Sequence, residues 1–138
     1  MPDNIKKTAM NKLISLLLGS LLLLACSNRE QAPEAEGQQC LARARVALMN
    51  NDYASAKAQI DTLRNRYPRA LRARAEGILL LDSICLAEAH SELDSLRRFS
   101  ETAQLDRIGR DSVDYNLDVL TQKVRFFEKK LSIDKEKR

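Results

Sequence analysis

The sequence predicts an all-α fold for everything that follows residue 39. Apolar residues return every three or four positions from Cys40 onward, which is the period of a helix. No segment alternates apolar and polar residues as a half-buried strand would. The chain of 138 residues contains only 4 glycines and 3 prolines, so few positions interrupt helices. That length accommodates one ordinary domain.

Residues 1–25 have the layout of a secretory signal. Three lysines (Lys6, Lys7 and Lys12) precede the apolar run Leu13–Leu24. That run is shorter than the roughly 20 apolar residues that a membrane-spanning helix needs. Translation that starts at Met10 would keep Lys12 and the whole apolar run. The secretory signal is therefore compatible with a start at either Met1 or Met10.

The apolar run ends in Leu23-Leu24-Ala25-Cys26-Ser27, which resembles the lipobox of bacterial lipoproteins. The resemblance implies cleavage before Cys26 and a covalent lipid on its thiol, which would anchor the protein to a membrane of the cell envelope. Ser27 stands in place of an acidic residue, and by resemblance to the sorting rule of such lipoproteins this favours the outer membrane, with the domain facing the periplasm. The alternative is an ordinary signal peptide followed by a cysteine at this position by coincidence.

Residues 26–39 are polar, contain Pro33 and Gly37, and show no apolar period, so they predict a flexible tether. The helical domain is predicted over 40–134, beginning with a hairpin over 40–68. Its first helix covers about 38–50, and Asp52 can cap the second, which ends before Pro68.

A long helix is predicted over about 69–105. Its apolar stripe consists of Leu71, Ala75, Ile78, Leu81, Cys85, Ala89, Leu93, Leu96, Phe99 and Ala103. Gly109 is expected to separate it from a last helix over about 111–134. That helix has a coiled-coil-like seam of Val113, Leu117, Leu120, Val124, Phe127 and Leu131. Residues 135–138 form a basic tail.

The hairpin resembles one tetratricopeptide repeat, a helix–turn–helix unit of 34 residues. The residues that match its second half are Asn51, Asp52, Tyr53, Ala56, Ile60, Leu63 and Pro68. Such repeats commonly hold other proteins, so the resemblance implies an interaction module. The layout is also similar to small Bacteroidetes-type lipoproteins with a hinge like Tyr67-Pro68-Arg69-Ala70. No second complete repeat follows, and an ordinary three- or four-helix bundle would show the same periodicity.

Catalysis and nucleic-acid binding are not expected. Without residues 1–25 the chain loses Lys6, Lys7, Lys12 and Asp3, which leaves a net charge of only +2. His90 is the single histidine, and the sequence contains none of the metal, nucleophile or phosphate-binding motifs, so the expected cofactor is none beyond the lipid on Cys26. Cys40 and Cys85 are expected to be too far apart for a disulfide.

Two segments are candidates for binding a partner. The first is a basic stretch suited to an anionic group or an acidic partner: Arg64, Arg66, Arg69, Arg72 and Arg74. The second is Phe126-Phe127, since only one of two consecutive helical residues can face a given seam. The sequence therefore predicts a membrane-anchored helical interaction or assembly module whose partner is an envelope protein. The alternative is a structural envelope protein that associates with itself.

Overall fold

The computed structural model describes residues 32–136, which form four helices and no strand. Helix α1 covers residues 32–49, followed by α2 (Tyr53–Arg66), α3 (Leu71–Thr102) and α4 (Arg107–Glu136). The predicted all-α fold is confirmed for this part of the chain.

Helix α1 begins earlier than the sequence predicted. Residues 32–39 are helical, so the prediction of a flexible tether up to Gln39 is wrong for these eight residues. Gly37 explains the difference, because a Cβ at this position would lie 2.8 Å from the Cβ of Ala70 and 2.9 Å from that of Ala73. The absent side chain lets α1 approach the start of α3 closely, and this contact holds a polar segment in the helix.

Helices α1 and α2 pack together against the first half of α3. The buried side chains of this hairpin core are Cys40, Leu41, Ala44, Ala56, Ile60, Leu63, Ala70, Ala73 and Ile84. The core runs continuously through the two helices and α3, so the hairpin is covered by the same chain.

Helix α3 is unbroken over 32 residues, about 48 Å, as the sequence predicted. The face that its first half buries is different from the predicted stripe. Leu71 and Ile78 are 71% and 50% exposed, whereas Ala73 and Gly77 are buried. Small residues allow α1 and α2 to approach, so the packing selects them over the larger side chains on the neighbouring face. In the second half the predicted Ala89 and Leu93 are buried.

Helix α4 begins at Arg107 and not near residue 111. The side chain of Asp106 accepts a hydrogen bond from the backbone N–H of Gly109 (2.8 Å), as an N-cap residue does. Gly109 therefore lies in the first turn of α4 and does not separate the helices. At the other end Lys135, which was predicted to belong to the tail, is helical.

Helix α4 runs back along the second half of α3 and forms a two-helix stem with it. Ala89, Leu93 and Val124 make a second core, with Leu117 and Leu120 packed against it. The predicted seam of α4 thus packs against α3 of the same chain.

An ion pair joins the end of α4 to the middle of α3. Lys130 Nζ donates to Asp82 Oδ1 at 2.7 Å, and the Asp82 side chain is almost fully buried. Asp82 Oδ2 is also buried and has no hydrogen-bond partner within residues 32–136. This carboxylate depends on Lys130 for its charge compensation.

Candidate interaction surfaces

Cys26 and the surrounding lipobox residues lie outside the described part of the chain. The lipid anchor therefore stays a prediction from the sequence. The surfaces described below belong to the helical body that would follow it.

The turn of the hairpin is held by three of the residues that carry the repeat resemblance. Asn51 has a φ of 58°, a left-handed conformation that asparagine tolerates better than most residues. Asp52 Oδ1 accepts from the backbone N–H of Ser55 at 3.0 Å, and hydrogen bonds to the Ser55 side chain and backbone lower the pKa of the carboxyl group. Tyr53 Oη donates to Asn51 Oδ1 at 3.2 Å. These residues shape the turn.

The remaining residues of that set have structural positions too. Ala56, Ile60 and Leu63 are fully buried in the hairpin core. Pro68 is exposed in the connection between α2 and α3. None of the three buried side chains can reach a ligand on the surface, so any binding by this hairpin uses other residues.

The five arginines of the basic stretch are all exposed and lie around the connection between α2 and α3, and we call these residues the arginine surface. Arg64 and Arg66 lie in the last turn of α2, Arg69 in the following connection, and Arg72 and Arg74 in the first turn of α3. Arg74 Nη1 donates to the backbone oxygen of Pro68 at 2.9 Å. All five residues that the sequence singled out thus lie near one end of the hairpin, close to the start of α3.

A shallow groove of about 510 Å³ between α1 and α3 continues from the arginine surface. Its walls carry Arg45, Arg72 and Glu76, and Leu79 and Leu80 contribute apolar lining. Arg45 forms an ion pair with Glu76 at 3.2 Å. The groove therefore offers an apolar strip flanked by Arg72 and by the Arg45–Glu76 ion pair.

Glu34 is an important residue that sequence reasoning missed. Its carboxylate accepts hydrogen bonds from the backbone N–H groups of Ala73 (2.8 Å) and Arg72 (3.3 Å), in the first turn of α3. Ala70, the N-cap residue of α3, has no side chain that could accept these hydrogen bonds. A carboxylate is the favourable partner for a helix N-terminus. Glu34 is separated from these N–H groups by nearly 40 residues, so no local motif could have indicated the contact.

The two phenylalanines of α4 face different surroundings. Phe126 is 60% exposed, whereas Phe127 is partly buried on the side of α4 that carries the seam. Their rings meet edge to face with centroids 5.1 Å apart. This arrangement agrees with the expectation that one of the two residues is left facing solvent.

Within 32–136 no group of three His, Cys, Asp or Glu side chains is placed to hold a metal ion. His90 is exposed, with Glu128 Oε1 3.7 Å from its Nε2. Cys40 is buried and Cys85 half-buried, and both are free thiols. None of the helices in this range is long and apolar enough to cross a membrane.

Residues 32–136 thus form an all-α body with a shallow groove beside the arginine surface and a stem made of α3 and α4. No known protein family, curated protein or solved structure matches the chain.

Proposed function

We propose that this protein is a lipid-anchored helical interaction module of the bacterial cell envelope, which holds or helps to assemble another envelope protein. Cys26 would carry the lipid, and Ser27 after it favours the outer membrane, with the helical body in the periplasm. The mass of the mature N-terminal peptide tests the anchor, since it should begin at a Cys26 that carries acyl chains.

The observation that supports the interaction role is the arginine surface beside the α1–α3 groove. Arg72 lies on the wall of an apolar strip, beside the Arg45–Glu76 ion pair, and Leu71 and Ile78 are exposed elsewhere on the first half of α3. Arginine binds carboxylates in a bidentate manner, and exposed apolar side chains supply area to bury. Such a surface suits a partner segment that carries acidic residues between apolar ones.

Charge reversal on the arginine surface tests this role. Cells expressing the C-terminally tagged full chain are crosslinked, and the proteins that co-purify with wild type are compared with those of Arg69→Glu/Arg72→Glu. We expect the double substitution to lower recovery of an envelope partner at least about tenfold, because two attractive charges become repulsive. Arg98→Glu/Arg110→Glu is the matched control, since both of its arginines are exposed on the stem. Equal recovery from both double variants would refute a role for the arginine surface.

Self-association in a structural role is the second candidate. The observation in its favour is the exposed position of Phe126 on α4, away from the seam that packs on α3. We do not propose an enzymatic role.

A further inference from the structure

Helix α4 carries a second apolar row, which we call the outer stripe. It consists of the exposed side chains Ile108, Tyr115, Val119, Phe126 and Ile133. They are spaced by seven, four, seven and seven residues, so they lie along one line of the helix. At 100° per residue this line is about 140° around α4 from the seam that packs on α3. The outer stripe is therefore an apolar row that α3 does not cover.

Charged residues follow one flank of the outer stripe in an order that is complementary to its own reverse. Arg107 and Asp118 lie along this flank in the first half of the helix, and Arg125 and Glu136 lie along it in the second half. All four side chains are exposed. A helix with this pattern is complementary to a copy of itself that runs in the opposite direction.

We propose that the outer stripe binds the outer stripe of a second copy of this chain, with the two α4 helices antiparallel. This inference rests on the interaction function proposed above and identifies one partner as the protein itself. A two-fold axis passing between Leu120 and Thr121 sets the register. It places Ile108 opposite Ile133 of the second copy, and Tyr115 opposite Phe126 of the second copy. Asp118 then faces Arg125 of the second copy, twice by symmetry.

A parallel orientation of the two α4 helices is disfavoured by the charge of Lys129. In a parallel, in-register pair Lys129 would lie against Lys129 of the second copy at the centre of the contact. Like charges in such positions are destabilising. The outer-stripe residues would meet one another in a parallel pair as well. The antiparallel pairing is favoured because it avoids the contact between the two Lys129 side chains and forms the Asp118–Arg125 pair twice.

The proposed pairing also fixes the shape of the assembly. The hairpin packs on the first half of α3, next to the C-terminal end of α4. An antiparallel pair of stems therefore carries its two hairpins, with their arginine surfaces, at opposite ends. A groove lined by Leu96, Phe99 and Val119 extends the apolar surface from the outer stripe to α3. Both surfaces can thus be occupied at once, one by the second copy and one by another partner.

Cysteine crosslinking in cells tests the orientation. Two differently tagged full chains, one with Ile108→Cys and the other with Ile133→Cys, are expressed together and oxidised. The mixed dimer should exceed same-site dimers about tenfold, because residues 108 of the two copies would lie about 37 Å apart, far beyond the roughly 7 Å reach of a disulfide. The unsubstituted chain measures the background from Cys40 and Cys85. Same-site dimers in excess, or no dimer above that background, would overturn the proposal.

A charge exchange tests the register independently of folding. Asp118→Arg or Arg125→Asp alone should lower the mixed-dimer yield about tenfold, since two attractive pairs become repulsive. The combination D118R/R125D should restore the yield to within about twofold of the parent, because the pairs are rebuilt with exchanged signs. Single variants without effect, or a double variant that stays low, would overturn the register.

Failure of this inference is distinguishable from failure of the proposed function. If no α4–α4 dimer forms while the arginine surface still recovers an envelope protein, self-association is wrong and the interaction role stands. If the mixed dimer forms while both arginine variants recover the same proteins, the inference holds and the partner role of the arginine surface fails.

Discussion

Replacing Gly37 by alanine tests the contact that draws residues 32–39 into α1. The added Cβ would lie 2.8 Å from the Cβ of Ala70, 2.9 Å from the Cβ of Ala73 and 3.0 Å from Leu63 Cδ1. Carbon atoms in comfortable contact are about 3.5–4.0 Å apart, so α1 would have to move outward by roughly 1 Å. The two Cβ atoms are fixed to the backbone of neighbouring segments and cannot rotate away.

The expected change in the free energy of unfolding is the difference between two effects. Alanine in a helix interior is favoured over glycine by about 1 kcal/mol. Overpacking a tight contact costs about 1–3 kcal/mol, and three simultaneous short contacts place this site near the upper end. We therefore expect Gly37→Ala to lower the free energy of unfolding by about 2 kcal/mol.

Gly77→Ala is the matched control, because it makes the same substitution in a buried helical position of the same core. Its nearest neighbours would be Leu63 Cδ2 at 3.0 Å and Leu41 Cδ2 at 3.6 Å, which are the ends of flexible side chains. The gain in helix propensity offsets their small displacement, so stability should stay within about 0.5 kcal/mol of wild type.

Urea unfolding followed by circular dichroism at 222 nm measures both variants, using a chain that begins at Ser27. With a slope of about 1–3 kcal/mol per molar urea, the Gly37 variant should unfold about 1 M earlier than wild type. Unchanged or raised stability of Gly37→Ala would refute the close packing of α1 and favour the flexible tether that the sequence alone predicts.

Three further substitutions test other contacts by the same urea assay. Glu34→Ala removes the cap of α3 and should cost about 1 kcal/mol, whereas Glu36→Ala on the exposed face should stay within about 0.5 kcal/mol; equal effects would contradict the capping role. Lys130→Met leaves the buried Asp82 carboxylate unpaired and should cost about 2 kcal/mol, discounted for the partial exposure of the lysine. Adding Asp82→Leu should recover most of that loss, and no recovery would contradict the assigned pair. Asp52 has a lowered pKa in the folded chain, so its stabilising contribution is present above its unfolded pKa and is lost as the pH falls through the folded value. Asp52→Asn keeps a capping oxygen that does not titrate, so its stability should fall less on acidification, and an unchanged acid dependence would be inconsistent with that cap.

Local signals in the sequence were sufficient to predict helix α2. Asp52 accepts the N–H of Ser55 as an N-cap does, and the helix ends immediately before Tyr67 and Pro68. The buried face was also predicted, because Ala56, Ile60 and Leu63 are the only apolar row that the helix offers. Where cap, period and terminator lie within a few residues of each other, the sequence determines the element.

The start of α1 and the buried face of α3 could not be predicted in this way. Both depend on how closely two helices approach, and that distance is set by Gly37, Ala73 and Gly77 together. A count of large apolar residues selects Leu71 and Ile78 instead, which the structure leaves exposed. Small residues carry no strong hydrophobic signal in the sequence, so their role appears only when the partner helix is in place.

The candidate surfaces were partly visible in the sequence. The five arginines all lie between residues 64 and 74, so their exposure at one end of the hairpin followed from the predicted connection between α2 and α3. The groove beside them requires Arg45 from α1, which is brought next to Glu76 only by the tertiary packing. From the sequence, Phe126 was the only residue of the outer stripe that was expected to be exposed. The other four residues can be assigned to an exposed row only when the structure shows that α4 packs on α3 through its seam.

Crosslinking in living cells tests the central claim, a lipid-anchored interaction module, most directly. The full chain with a C-terminal tag is crosslinked, membranes are solubilised, and the co-purifying proteins are identified for wild type and for Cys26→Ala. The account predicts that wild type recovers the protein itself together with a dominant envelope partner, and that the recovery of this partner is lost with Cys26. Identical recovery from both chains, or fractionation of wild type away from membranes, would contradict it.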